Sequence, residues 1–281
     1  TYTPYYIKQH IMNKNRFLQV LRWELLLSKR QITTMALTFF GMVVIPQILT
    51  LVFRSSSSSA YTMGILCAIA LFAYMLCSGA LIFSSLRSRQ QRINDFMLPA
   101  SNKEKFVARY LVLVVAMPLA AIAGFFVGDV LQYLMSLIIN SDAAQWATTA
   151  LTEGLNNSGI FHFYTNLDDA PSPLEGFFAI LFGAVMQHAC FLFFGSIFHK
   201  HPLRMAILTW MGLGIVLLMI GAFAARILAE FLHSGYTITL YDAWLKALYY
   251  IINIIIIVFC YRFAYHRYTR LQVINNQWIN K

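Results

Sequence analysis

Apolar residues along this 281-residue chain gather into six long runs separated by polar connections. Ile32 to Phe53, Tyr61 to Leu86, Val107 to Ile139, Gly176 to Phe198, Met205 to Ala225 and Trp244 to Phe263 each reach the roughly 20 residues that cross about 30 Å of hydrocarbon at 1.5 Å per residue. The runs are continuous rather than alternating, which excludes a sheet barrel. The pattern predicts an all-α, polytopic membrane protein: a single transmembrane domain over residues 13–281, with six transmembrane helices, behind an amino-terminal tail at 1–12.

Smaller patterns refine this. From Asn13 to Arg30 a helical period puts Phe17, Leu18, Leu21 and Leu25 on one face, with cations flanking and Trp23 as an anchor. Such a helix suits the headgroup layer. Pro46 and Gln47 interrupt the first run and predict a kink. Arg54 and Ser55 to Ser59 form a short polar turn. The third run exceeds one crossing, so it tilts, extends past the membrane, or breaks near Pro118 or Gly128. The outer connection 140–175 carries Trp146, Phe161, Phe163 and Tyr164, which predict a small cap or interfacial helix. His199 to Arg204 is a tight basic turn, and Arg226 to Ala243 a short outer excursion.

Composition supports the membrane reading: 59% of residues are hydrophobic and only 11% charged, against about a quarter charged in a soluble domain. The net charge of +10 would point to nucleic acid in a soluble protein. Here it reads as topology, because basic residues mark the cytoplasmic side and meet anionic lipid. Both termini placed inside puts all but Arg54, Arg226 and Lys246 of the 21 basic residues there. Of the 11 acids, Asp142, Glu153, Asp168, Asp169, Glu175, Glu230 and Asp242 fall outside. No cleavable signal peptide is evident. Met12, followed by Asn-Lys-Asn-Arg, reads as a translation start, with Thr1 to Ile11 upstream sequence or a disordered tail.

Catalytic signatures are missing from the sequence. There is no G-x-x-x-x-G-K-[ST] phosphate loop, no H-E-x-x-H and no G-x-S-x-G. The protein is therefore expected to be no enzyme and to bind no cofactor or metal itself. Cys67, Cys77, Cys190 and Cys260 lie inside apolar runs and read as packing residues. His199 and His201 have no carboxylate or cysteine nearby to complete a metal site. His188, beside Gln187, and Asn253 read as interhelical hydrogen-bonding groups. Asp129 is the one acid within an apolar run. It serves a pathway or gate, with Arg54 or Arg226 as partner, or it reaches the outer interface. No internal repeat supports a secondary transporter.

The cytosolic loop 87–109, RSRQQRINDFMLPASNKEKFVAR, concentrates the remaining signal. Ser101 and Glu104 have capping-box spacing, so a helix starts after Pro99. Pro99 disfavours helix at Leu98. The loop is thus an elbow, with a short helix before Pro99 and a long one after it.

With its amphipathic amino-terminal helix, six spans and the phrase DFMLPASNKEKFVARYL, the chain resembles membrane subunits of ABC transporters of the type-2 exporter class, in particular small bacterial, Bacteroidetes-like permeases. The architecture covers the whole chain and the wording only Asp95 to Leu111. The resemblance implies a bacterial inner-membrane permease whose first cytosolic loop seats on a separate nucleotide-binding subunit, which holds ATP and magnesium. It also implies a second permease copy or a sister permease. By position the docking falls on Arg92 to Phe106: Phe96, Leu98 and Pro99 as apolar contacts, with Arg92, Lys103 and Lys105 around them and Ser101, Glu104 and Phe106 in the same stretch. Many members carry their conspicuous outer segment between the fifth and sixth spans, whereas here the longer one lies between the third and fourth. The alternative reading is a non-transporting membrane protein, an assembly factor or sensor anchor, whose basic loop binds lipid or a regulator.

Overall fold

The computed structural model of the chain describes residues 13–53, 60–84, 86, 88–141, 144–149, 152, 173–198, 200–233 and 242–270. Every regular element among them is a helix. They are α1 (Lys14–Leu27), α2 (Lys29–Val52), α3 (Ala60–Ser84), α4 (Arg89–Met97), α5 (Asn102–Leu111), α6 (Met117–Ile139), α7 (Pro173–Ile197), α8 (Pro202–His233) and α9 (Asp242–Thr269). A π-helical turn, Val112–Ala116, joins α5 to α6. Among the described residues five helices are long and apolar enough to cross a membrane: α2, α3, the 38-residue rod Asn102–Ile139, α7 and α8. The chain therefore has the helices of a multi-pass membrane protein. The sixth expected run lies within α9, whose described part is diluted by Arg262, His266 and Arg267.

α2 carries Pro46 inside it and continues as one helix to Val52. Its Gln47 is buried and donates through Nε2 to Ser136 Oγ at 2.8 Å, so a polar pair ties the first span to the third. The third run does not break at Pro118 or Gly128. At about 57 Å for 38 residues, the rod projects well past a ~30 Å core, and its first turns are the charged ones. α8 continues to His233, two turns beyond the expected end at Ala225, and residues 234–241 lie outside the described set.

Pro118 is absorbed by the π-turn. The Met117 amide bonds the Val112 carbonyl. The Leu113 carbonyl would next look to residue 118, where proline has no N–H. Tyr74 on α3 fills this vacancy, its hydroxyl donating to the Leu113 carbonyl at 2.9 Å. In hydrocarbon an unsatisfied carbonyl costs several kcal/mol, so the tyrosine makes the proline tolerable.

Contacts divide the chain into two compact units, residues 1–76 with 99–184 and residues 77–98 with 185–281. In the first, α2 packs along α6 through Gly124 and Gly128. A Cβ on Gly124 would lie 2.1 Å from the Ala36 carbonyl oxygen, and one on Gly128 3.0 Å from that of Phe40. Gly128 is thus a close-approach residue rather than a break, and Gly124-Phe-Phe-Val-Gly128 is a small-xxx-small contact of the kind that joins helices in lipid. Phe39, Val43, Cys67, Ala121 and Phe125 form the apolar cluster beside it.

In the second unit, Ser78 Oγ and His188 Nδ1 lie 3.2 Å apart, both buried, which is the interhelical bond expected of His188. Gly79 and Gly195 let α3 and α7 approach closely: a Cβ on Gly195 would sit 2.6 Å from Ala80 Cα. All four cysteines are free, and the Cys190 and Cys260 thiols share a hydrogen bond. His201, at φ 59°, turns the chain into Pro202 at the head of α8. His199 lies outside the described residues, and among those described no three His, Cys, Asp or Glu side chains gather to hold a metal.

Candidate functional site

The two helices on either side of Pro99 form as their sequence dictates. Ser88 opens α4 with a capping box: its hydroxyl accepts from the Gln91 amide at 3.2 Å, while Gln91 Oε1 accepts from the Ser88 amide at 3.3 Å. The helix stops at Leu98, which is extended (φ −67°, ψ 125°) as the residue before a proline must be. Arg87 lies outside the described residues.

α4 is anchored through Asp95 and bare at its last two residues. Buried Asp95 accepts from the Tyr268 hydroxyl at 3.0 Å, near the end of α9. Arg92, one turn earlier, is buried too, and desolvation lowers its pKa. At that bare end, Phe96 is 46% and Met97 79% exposed. Two large apolar side chains thus stand at the tip of a fixed, otherwise polar helix. Leu98 is half-buried.

After the unit boundary, exposed Pro99 leads into α5. Its capping box is the expected one: Ser101 Oγ accepts from the Glu104 amide at 3.3 Å, and Glu104 Oε2 accepts from the Ser101 amide at 2.8 Å. The same carboxylate does more than the sequence disclosed. It accepts from the Asn13 amide at 2.9 Å and from Arg16 through Nε at 2.8 Å and a terminal nitrogen at 2.9 Å. Burial alone would raise its pKa. The bonds from Arg16, Asn13 and Ser101 outweigh burial and hold it at about 2, while the Glu104 bond raises the Arg16 guanidinium.

A second pair of opposite polarity lies two turns along α1. Arg109 Nε donates to Glu24 Oε1 at 2.7 Å, and both side chains are more than nine-tenths buried. α1 is therefore clamped to α5 by Arg16–Glu104 at one end and Glu24–Arg109 at the other. This alters the expected amphipathic face. The buried residues of α1 are Val20 and Glu24. Phe17, Leu21 and Leu25 are half-buried, and Leu18, Leu26 and Leu27 are exposed beside Arg22, Lys29 and Arg30.

The expected docking stretch therefore separates by burial. Phe96, Pro99 and Lys103 are accessible, Leu98 and Ser101 half so, and Arg92, Glu104, Lys105 and Phe106 are buried. Met97, the most exposed of the apolar tip, was not among the expected docking contacts.

At the other end of the long rod, Asp129 is buried and fully occupied. Its Oδ1 accepts from the Ala147 amide at 2.8 Å and from Gln132 Nε2 at 2.9 Å; its Oδ2 accepts from the Thr148 amide at 3.1 Å and from the Thr148 hydroxyl. Tyr133 stacks on Trp146 with centroids 4.1 Å apart. Asp129 thus holds the segment 144–149 onto α6, and neither expected arginine is among these partners: Arg54 lies outside the described residues and Arg226 is exposed. The cap predicted from Phe161, Phe163 and Tyr164 also lies outside them. No protein-family model, curated protein or solved structure matches the chain.

Proposed function

We propose that the chain is the permease subunit of an ATP-driven exporter of the type-2 ABC class in a bacterial inner membrane. In this reading it has six spans and cytosolic termini, and it works as a pair with a second copy or a sister permease. A separate nucleotide-binding subunit carries ATP and magnesium. The observation that supports it most is the exposed Phe96–Met97 tip on a helix that is pinned through Asp95 and Tyr268. An apolar tip on a rigid, water-facing base fits a pocket on a partner, as buried anchor residues do at interfaces. Exposed Arg89 on the same helix adds positive charge for an acidic rim.

Motion of the partner would be received twice: by α4, through the Asp95–Tyr268 bond to α9, and by α5, as the head of the third span. Exposed Leu18 and Leu26, among the cations Arg22 and Lys29, support a position of α1 in the headgroup layer while its other face grips α5. Affinity purification in mild detergent tests the reading. The wild type should retain an ATP-binding subunit, and F96D with M97D should lose it without loss of the membrane protein. If no such subunit is retained by the wild type, the permease reading fails and the assembly-factor or sensor-anchor alternative takes its place.

A further inference from the structure

Beneath the outer segment held by Asp129, α2, α3 and α6 leave a cavity of about 190 Å³. Phe39, Cys67 and Phe125 form its buried floor. Thr148 borders it from the outer segment, and Ile122 and Phe126, 37% and 51% exposed, border it where it opens sideways. Small residues create the space: Gly64 and Ala68 lie one turn apart on α3, on the same face as Cys67 and Leu71. Three features define what can enter. The lining is apolar, and its one hydroxyl, on Thr148, already donates to Asp129. The walls are helices apolar enough to span a membrane, so the medium at the opening is hydrocarbon. An apolar cavity of about 150 Å³ holds benzene and stays dry, so this one takes a comparable apolar group and no water.

We propose that this cavity is a lateral binding site for one acyl chain of a bilayer phospholipid, entering between Ile122 and Phe126 and ending against Phe39 and Cys67. The bound chain fills the crevice between α3 and α6 that Gly64 and Ala68 leave open, under the outer segment. The inference stands whether or not the chain is a permease.

The test uses the full chain in lipid nanodiscs containing phosphatidylglycerol with a diazirine near the end of one acyl chain. After photolysis, label should appear on the peptides carrying residues 64–71 and 122–126. It should saturate with probe and fall when unlabelled phosphatidylglycerol is added. A68F, which fills the cavity from α3, and I122W, which closes it from α6, should each lose this label while retaining that on Leu217 and Ile220 of the exposed α8 face. Label on the cavity peptides that rises linearly with probe, matches α8 throughout, or survives both variants overturns the proposal. Should either variant fail to run as a monodisperse peak, saturation and competition in the wild type decide alone.

Discussion

Glu104 receives four hydrogen bonds, two from one guanidinium and two from backbone amides, so its charge is stabilised by groups that only the folded chain assembles. A carboxylate held at about 2 instead of an ordinary ~4.3 contributes stability at neutral pH that is lost as the pH falls through its folded value. The α1–α5 clamp should therefore be intact at pH 7 and pH 5 and loosen between about 4 and 2. Trp23 on α1, half-buried, reports it. The part of the fluorescence change that W23F removes should follow that window, and E104Q should flatten it. The two clamps also differ in burial, and this ranks their variants. Arg16 is 34% exposed and Glu104 fully covered, so R16Q should cost about 1–3 kcal/mol. At the doubly buried pair, E24Q leaves Arg109 with a charge it cannot expose and should cost about 3–5 kcal/mol. Thermal unfolding in detergent measures both, and E24R combined with R109E should recover part of the loss of either reversal alone.

The helices show what hydropathy conveys and what it leaves out. The helix ends on either side of Pro99 were legible because caps and a proline punctuate them: Ser101 and Glu104 start α5, and Pro99 stops α4, as their spacing requires. Partners were not legible, since a period says which face is apolar but not which neighbour covers it. The acids of the basic segments carried an unused signal: Glu24, Asp95 and Glu104, three anions among many cations, are all buried and all act as anchors. Gly124-xxx-Gly128 was legible in principle as a helix contact and was read instead as a weak point. The π-turn was not, because its Pro118 is accommodated by Tyr74 from a different helix. Y74F tests that account. It leaves the Leu113 carbonyl orphaned in apolar surroundings and should cost about 1–3 kcal/mol, although it removes a single oxygen. Hydrogen exchange should rise locally over residues 112–118. An unchanged melting temperature and exchange pattern would mean the π-turn needs no outside donor.

At the scale of the whole molecule, orientation decides every functional reading, because the Phe96–Met97 tip can meet an ATP-binding partner only if the elbow faces the cytosol. Charge argues that it does. The stretch from Arg87 to Arg109 carries six cations and two acids, whereas 140–175 carries five acids and no lysine or arginine. Short basic loops resist translocation and set topology, while acids contribute little, so the first of these loops is the stronger determinant. The structure adds a reason why the inner side cannot be exchanged by moving one loop. Glu104 and Arg109 bind residues of α1, so the amino-terminal helix and the head of the third span must lie on the same side. Cysteines introduced singly at Ser158 and Asn102 separate the alternatives. Asn102 is exposed at the start of α5 and takes no side-chain part in its cap, so the substitution leaves the clamp alone. An impermeant thiol reagent added to intact cells should label the cysteine at position 158 and not that at 102, and permeabilised cells should label both. Labelling at 102 in intact cells would turn the elbow outward and remove the permease reading together with its partner.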